Sequence, residues 1–141
     1  MPLFVSIITP HVQSTRPAHY LQEAYASLIK QTYPHWTWHI AGNQALPQNI
    51  QNDPRVTHTF IPTKGNAAVN RNYALATTRN DTLLTCLDDD DRLPPNSLQI
   101  RVDAYNATPL TAWVVGDGED WKNGSLTKCN MPMTAQAAQH Q

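Results

Sequence analysis

The chain has 141 residues, 40% of them hydrophobic and 15% charged, and a formal net charge of -1. That length supports one domain with its own core, and the near-neutral charge gives no electrostatic footing for nucleic acid or for an anionic membrane surface. No run approaches the roughly 18 apolar residues that a membrane-spanning helix needs. The opening Met1-Pro2-Leu3-Phe4-Val5-Ser6-Ile7-Ile8 lacks a basic stretch and a long apolar core, so a cytoplasmic location is expected. Two cysteines, Cys86 and Cys129, do not make a disulfide framework.

Residues 3–8 form an apolar, partly β-branched run that predicts a first strand, ended by Thr9-Pro10-His11. Thr15 is placed to cap a helix with Pro17 near its first position. Tyr20, Leu21, Ala24, Tyr25, Leu28 and Ile29 recur at helical spacing, and the helix stops by Thr32-Tyr33-Pro34 because the residue before proline avoids the helical region. Residues 36–41 are aromatic and β-branched and predict a second strand, ended by Gly42-Asn43. Residues 44–54 read as loop or a short irregular helix, and residues 56–61 as a third strand. After the Lys64-Gly65-Asn66 turn, residues 66–79 predict a helix with Ala68, Val69, Tyr73, Leu75 and Ala76 available for burial.

A fourth strand over 82–87 is expected to be buried, with Cys86 as a small core hydrophobe. A helix from about 95 to 105 uses Leu98, Val102 and Tyr105. Residues 111–116 predict a fifth strand, and Asp117-Gly118-Glu119-Asp120 has turn chemistry. Asn123-Gly124 is suited to open a hairpin between residues 119–122 and 125–128. Trp36, Trp38 and Trp113 are expected in the core, and His39 and His58 to be hydrogen-bonded or exposed on strands. The helical crossovers are of the length that parallel strands require, so the expected fold is a three-layer α/β/α Rossmann-like domain with a mostly parallel sheet. The domain is expected over residues 1–128, with 129–141 a flexible tail.

The feature that points to chemistry is Leu83-Leu84-Thr85-Cys86-Leu87-Asp88-Asp89-Asp90-Asp91. A carboxylate cluster where a strand ends lies at the carboxyl edge of the sheet, where open α/β sheets bind ligands. Two unit charges about 6 Å apart repel by roughly 0.7 kcal/mol even in bulk water, so the run calls for an offset. Two are available: a helix N-terminus following Pro94-Pro95-Asn96-Ser97, or a hard divalent cation with oxygen ligands.

Four segments, in order, resemble family 2 glycosyltransferases, which have the GT-A fold. Val5-Ser6-Ile7-Ile8-Thr9-Pro10 resembles the family's opening strand and loop. Tyr20-Leu21-Gln22-Glu23-Ala24, Ser27-Leu28 and Gln31-Thr32-Tyr33-Pro34 resemble its first helix and exit. Gly65-Asn66-Ala67-Ala68-Val69-Asn70-Arg71-Asn72-Tyr73-Ala74-Leu75 resembles its Gly-x4-Ala-Arg-Asn-x-Gly-Leu helix. Leu87-Asp88-Asp89-Asp90-Asp91 resembles its Asp-x-Asp signature. Together they cover residues 3 to about 118, and the resemblance is to the family's N-terminal, nucleotide-sugar-binding part.

The resemblance implies metal-dependent transfer of a sugar from a nucleotide-diphosphate donor, usually a UDP-sugar, to an acceptor hydroxyl. It implies Asp90 as ligand of Mn²⁺ or Mg²⁺ and Asp88 as acceptor of hydrogen bonds from the ribose. Asp89 is grouped with the nucleotide-binding residues. Asp89 and Asp91 are otherwise read as supporting the site or solvated. Arg71 is implied near the nucleotide, paired with phosphate or with the acidic run. Thr9, Pro10 and His11 match the loop that lines the base pocket.

Two departures stand out. Gly42, Asn43 and Gln44 replace the family's acidic run after the second strand; Asn43 still offers a donor and an acceptor to a base edge, without the charge. The acceptor-binding half that normally supplies the general base is not seen, so no catalytic base is named and the acceptor is unknown. A homo-oligomer or partner protein completing the acceptor site is one expectation. The competing reading is a truncated, non-catalytic relative that binds a nucleotide or a partner.

Overall fold

The computed structural model describes residues 2–14, 16–80, 82–108, 119–122 and 125–128. The chain divides into two compact units, residues 1–98 and 99–141. The first carries strands β1 (Phe4–Pro10), β2 (Trp36–Gly42), β3 (Val56–Phe60) and β4 (Thr82–Cys86) with helices α1 (His19–Ile29), α2 (Gln48–Gln51) and α3 (Ala67–Leu75). Helix α4 (Ser97–Ala107) begins at its end. The sheet order is β3-β2-β1-β4, and every pairing is parallel. The chain thus builds outward from β1 through β2 to β3, then crosses back by α3 to place β4 on the other side of β1. That reversal is a topological switch point, where the loops leaving the two adjacent strands diverge and open a crevice.

The register sorts the two sheet faces. Val5 pairs with Trp36, Ile7 with Trp38 and Thr9 with Ile40, all on one face. Trp36 and Trp38 are buried there, and Trp38 stacks on Tyr25 of α1 with centroids 6.0 Å apart. Ser6, Ile8, His39 and Ala41 point to the other face, where Ile8 and Ala41 cluster with Ala74 of α3. The layers are therefore α1, sheet and α3, as the alternating pattern predicted. On the α3 face His39 is enclosed: its Nδ1 meets the Thr77 hydroxyl and its Nε2 the Thr37 hydroxyl, each at 2.8 Å. Because Thr77 spends its own proton on the Ala74 carbonyl, Nδ1 carries the ring hydrogen and Nε2 accepts from Thr37. Burial holds the His39 pKa below its ordinary value.

The structure departs from expectation in four places. Thr15 lies outside the described residues, and α1 starts with Ala18 at the N-cap position and no side-chain cap. Helix α3 buries Asn70 and Ala74, whereas Val69, Tyr73 and Leu75 are exposed. It packs on β1, β2 and β3 along a narrow seam, and the small Ala74 permits the close approach that a bulkier seam would prevent. Strand β4 is partly exposed rather than buried, with Leu84 and Cys86 open to solvent. Those two share the α3 face with Ser6 and Ile8, and α3 lies over the other three strands. Glu119 and Asp120 belong to a strand rather than a turn.

In the second unit, β5 (Glu119–Lys122) pairs antiparallel with β6 (Ser125–Lys128), in the register that a two-residue connection at 123–124 demands. The predicted strand over 111–116, with Trp113, and the predicted tail over 129–141 lie outside the described residues. Among the described residues, no helix is long and apolar enough to cross a membrane.

One buried carboxylate organises the end of the sheet away from the crevice. Asp53 accepts from Arg55 Nε at 3.0 Å, Arg55 Nη2 at 2.8 Å and the Tyr25 hydroxyl at 2.7 Å. Arg55 also lies 4.0 Å over the Trp36 ring. These donors, Arg55 foremost, hold the Asp53 carboxyl well below the usual carboxylate range. A depressed carboxylate stabilises the fold above its unfolded pKa, near 3.8, and that contribution is lost as pH falls below it. Replacing Asp53 with Asn is expected to cost roughly 2 kcal/mol at neutral pH, a typical value for hydrogen bonds to a charged group. Urea denaturation of wild type and variant at neutral pH and near pH 3 should show that gap narrowing in acid.

Candidate functional site

The site begins at the last apolar residue of the β4 run. Leu87 is buried, and its N–H donates to the Ile8 carbonyl at 3.0 Å. The Thr9 hydroxyl donates to the Leu87 carbonyl and accepts from Trp38 Nε1 at 2.7 Å. The residue just before the acids is thus clamped to the core through both of its backbone groups. Immediately after it the chain turns, with Asp91 N–H donating to the Asp88 carbonyl at 3.0 Å. This turn splits the linear run. Asp88, Asp90 and Asp91 each bring a carboxylate oxygen into a group whose members all lie within 4.8 Å of one another. Asp89 faces elsewhere, and its Oδ2 is 2.8 Å from His11 Nδ1.

The loop from β1 to α1 is fixed over the same edge. His11 N–H donates to the Ala41 carbonyl at 2.9 Å, and Gln13 N–H donates to Asn43 Oδ1 at 2.8 Å. Gly42 makes the approach possible, since a Cβ there would stand 1.9 Å from the His11 carbonyl oxygen. Between this loop and the segment after β2 is a cleft of about 280 Å³ lined by residues including His11, Arg16, Tyr20, Gln44, Leu46 and Asp89. That volume approaches the range of small-molecule sites, roughly 300–1,000 Å³.

Cations are distributed unevenly over the acids. Arg71 Nη2 bonds Asp88 Oδ1 at 2.9 Å, and its Nε is buried without a partner. The Asp88 carboxylate raises the Arg71 pKa. Arg16 Nη1 is 3.3 Å from Asp89 Oδ1 and 3.0 Å from Asp90 Oδ2. Asp91 is raised above the usual carboxylate range, first by desolvation of its carboxyl and then by repulsion from Asp90 and Asp88. A raised carboxyl makes the folded state the better proton acceptor, so folding loses stability here as pH rises through that interval. His58, on β3, is lowered by burial and then by the charge of nearby His11, and its Nε2 is buried without a partner.

Of the residues singled out from sequence, His11 and Asp89 meet at the cleft, Arg71 pairs with Asp88, and Asp90 joins Asp88 and Asp91. Thr9 and Pro10 are buried in β1, with Thr9 beneath the acids rather than among the cleft-lining residues. Asn43 holds the β1–α1 loop through its side-chain oxygen. Sequence reading missed Arg16, which touches two of the four acids. The only signal was a lone cation in the loop after β1, in a chain with ten Lys and Arg residues in all.

An oxygen-only donor set of three clustered carboxylates fits the chemistry of a hard divalent cation such as Mg²⁺ or Mn²⁺. Comparison with known proteins bears on the whole domain. Two crystal structures of S. aureus TarS, one of them covering its residues 1–349, superimpose with TM-scores of 0.62 at 20% identity. Each match covers 75% of this chain, and 20% and 33% of the respective TarS chains, so the chain spans a fifth to a third of their length. That likeness establishes the GT-A type of fold. No curated protein sequence matches the chain. The profile described as glycosyl transferase family 2 matches residues 6–139, and the chain belongs to that family.

Proposed function

We propose that this chain forms the donor-binding part of a glycosyltransferase, taking a nucleoside-diphosphate sugar, with UDP as the nucleotide, together with Mn²⁺ or Mg²⁺. The observation that carries the reading is the convergence of Asp88, Asp90 and Asp91 at the carboxyl end of β4, beside a cleft roofed by the loop after β1. Family membership supports it. A divalent cation at such a cluster acts as a Lewis acid toward diphosphate oxygens and stabilises the charge that develops as the leaving group departs.

The chain's own residues have the following parts in this reading. Asp90 holds the cation, with Asp91 and Asp88 beside it. Asp88 accepts from the ribose hydroxyls while Arg71 orients its carboxylate. His11 and Asp89 form a polar wall of the cleft, and Asn43 and Gln44 supply amides toward a base edge. Thr9 acts from below by fixing the Leu87 carbonyl. The reading covers the donor side.

Calorimetric titration with UDP, with and without Mn²⁺, tests the reading directly. Wild type should bind UDP in a metal-dependent way, and Asp90→Ala should lose that dependence. Folded protein that binds neither UDP nor other nucleoside diphosphates, with or without metal, would sink it.

The anchoring role of Thr9 makes a separate prediction. Thr9→Val leaves the Leu87 carbonyl and Trp38 Nε1 without their hydroxyl partner, at a cost of roughly 2–3 kcal/mol for the two buried groups. Metal-dependent UDP binding should weaken in Thr9→Val and be retained in Thr9→Ser. Equal binding by all three proteins would show that the acids are held without the hydroxyl.

A further inference from the structure

Arg16 holds two acids that have different commitments. Asp89 Oδ1 receives Arg16 while Asp89 Oδ2 is bonded to His11 Nδ1, and the Asp89 side chain is only 15% exposed. Asp90 meets Arg16 at 3.0 Å through Oδ2, is about twice as exposed at 31%, and belongs to the three-carboxylate group. A guanidinium and a divalent cation compete for the same Asp90 carboxylate, because each is attracted to its oxygens and the two repel each other. Arg16 also lines the cleft, and its side chain is 55% exposed, so it is free to turn without disturbing the core. A released guanidinium presents a planar fork of donors suited to phosphate oxygens.

From this arrangement we propose that Arg16 is a placeholder cation. It neutralises Asp90 in the metal-free protein and yields that carboxylate to the divalent cation. It then turns about its Asp89 contact to bind the phosphate oxygens of a nucleoside diphosphate in the cleft. The inference rests on the donor-site reading above and adds a coupling to it. Metal alone binds weakly because Arg16 must leave Asp90. Metal with nucleotide binds tightly because the displaced Arg16 gains a new anion.

The test is Mn²⁺ binding, followed by electron paramagnetic resonance, to wild type, Arg16→Gln, Asp90→Ala and the double variant, followed by UDP titration at saturating Mn²⁺. Thermal melts establish that each variant is folded. Arg16→Gln should bind Mn²⁺ alone about three- to tenfold more tightly, as expected for loss of a half-exposed ion pair and a like charge. It should bind UDP in the presence of Mn²⁺ about tenfold more weakly, for loss of a charge-assisted phosphate bond. In the Asp90→Ala background, where Mn²⁺ binding is weaker throughout, Arg16→Gln should raise Mn²⁺ affinity by less than it does in wild type. An equal gain in both backgrounds overturns competition for Asp90. Mn²⁺ binding that is unchanged or weaker in Arg16→Gln, or undetectable in both proteins, overturns the placeholder role. Tighter Mn²⁺ with undiminished UDP binding overturns the hand-over to phosphate. UDP bound equally well without metal removes this inference while leaving the nucleotide reading intact. If UDP does not bind at all, the donor-site reading falls, and the Mn²⁺ arm still decides whether Arg16 and the cation compete.

Discussion

The Thr9 hydroxyl stands between Trp38 Nε1, from which it accepts, and the Leu87 carbonyl, to which it donates. That pair of bonds ties β2, β1 and the end of the β4 run together directly beneath the crevice. β1 lies between β2 and β4, so a single side chain on it reaches both neighbours. Trp38 is itself fixed by the stack on Tyr25, which places α1 in the same chain of contacts. Leu87 is the last residue before four carboxylates whose mutual repulsion favours spreading. A buried anchor at that point sets where the acidic turn starts, and a satisfied buried hydroxyl is stiffer than an apolar contact because any shift leaves a polar group unpaired.

The acidic turn shows how the fold handles concentrated charge. It does not pair the four carboxylates one to one. Arg71 takes Asp88, His11 takes Asp89, and Arg16 lies between Asp89 and Asp90. Asp91 shows the remaining strain, its carboxyl raised by desolvation and by its neighbours. The acidic turn lies at the switch point of the sheet, where ligands of open α/β folds bind. At the opposite edge the protein does the reverse. Asp53 is surrounded by donors from Arg55 and Tyr25, and its charge serves the joint between α1, β2 and β3. Two carboxylate environments in one small fold thus differ, the acidic turn crowding several carboxylates together and the Asp53 site surrounding one with donors.

Much of the framework follows from local pattern. β1, β2 and the first helix can be read from apolar periodicity and from Pro34, and the start of the third helix from the Gly65-Asn66 turn, because those signals act within a few residues of the structure they set. The hairpin of β5 and β6 is equally local, set by the two residues that connect it. The position of the acids at a strand's carboxyl end is local too. So are the segments that resemble family 2 glycosyltransferases, which the match over residues 6–139 bears out.

What the sequence by itself determined, then, is the kinds and order of elements and the place of the charge. The tertiary structure alone decided which partner each acid meets. Asp89 turns from its neighbours to His11, 78 residues away in sequence, and Arg16 reaches Asp89 across 73. The exposure of Cys86 and Leu84 and the Asn70–Ala74 seam of α3 were settled in the same way, by which strands α3 happens to cover. Neither pattern nor propensity contains this information. Side-chain pairing and burial depend on the strand order 3-2-1-4, and that order is fixed by contacts between segments that are distant along the chain.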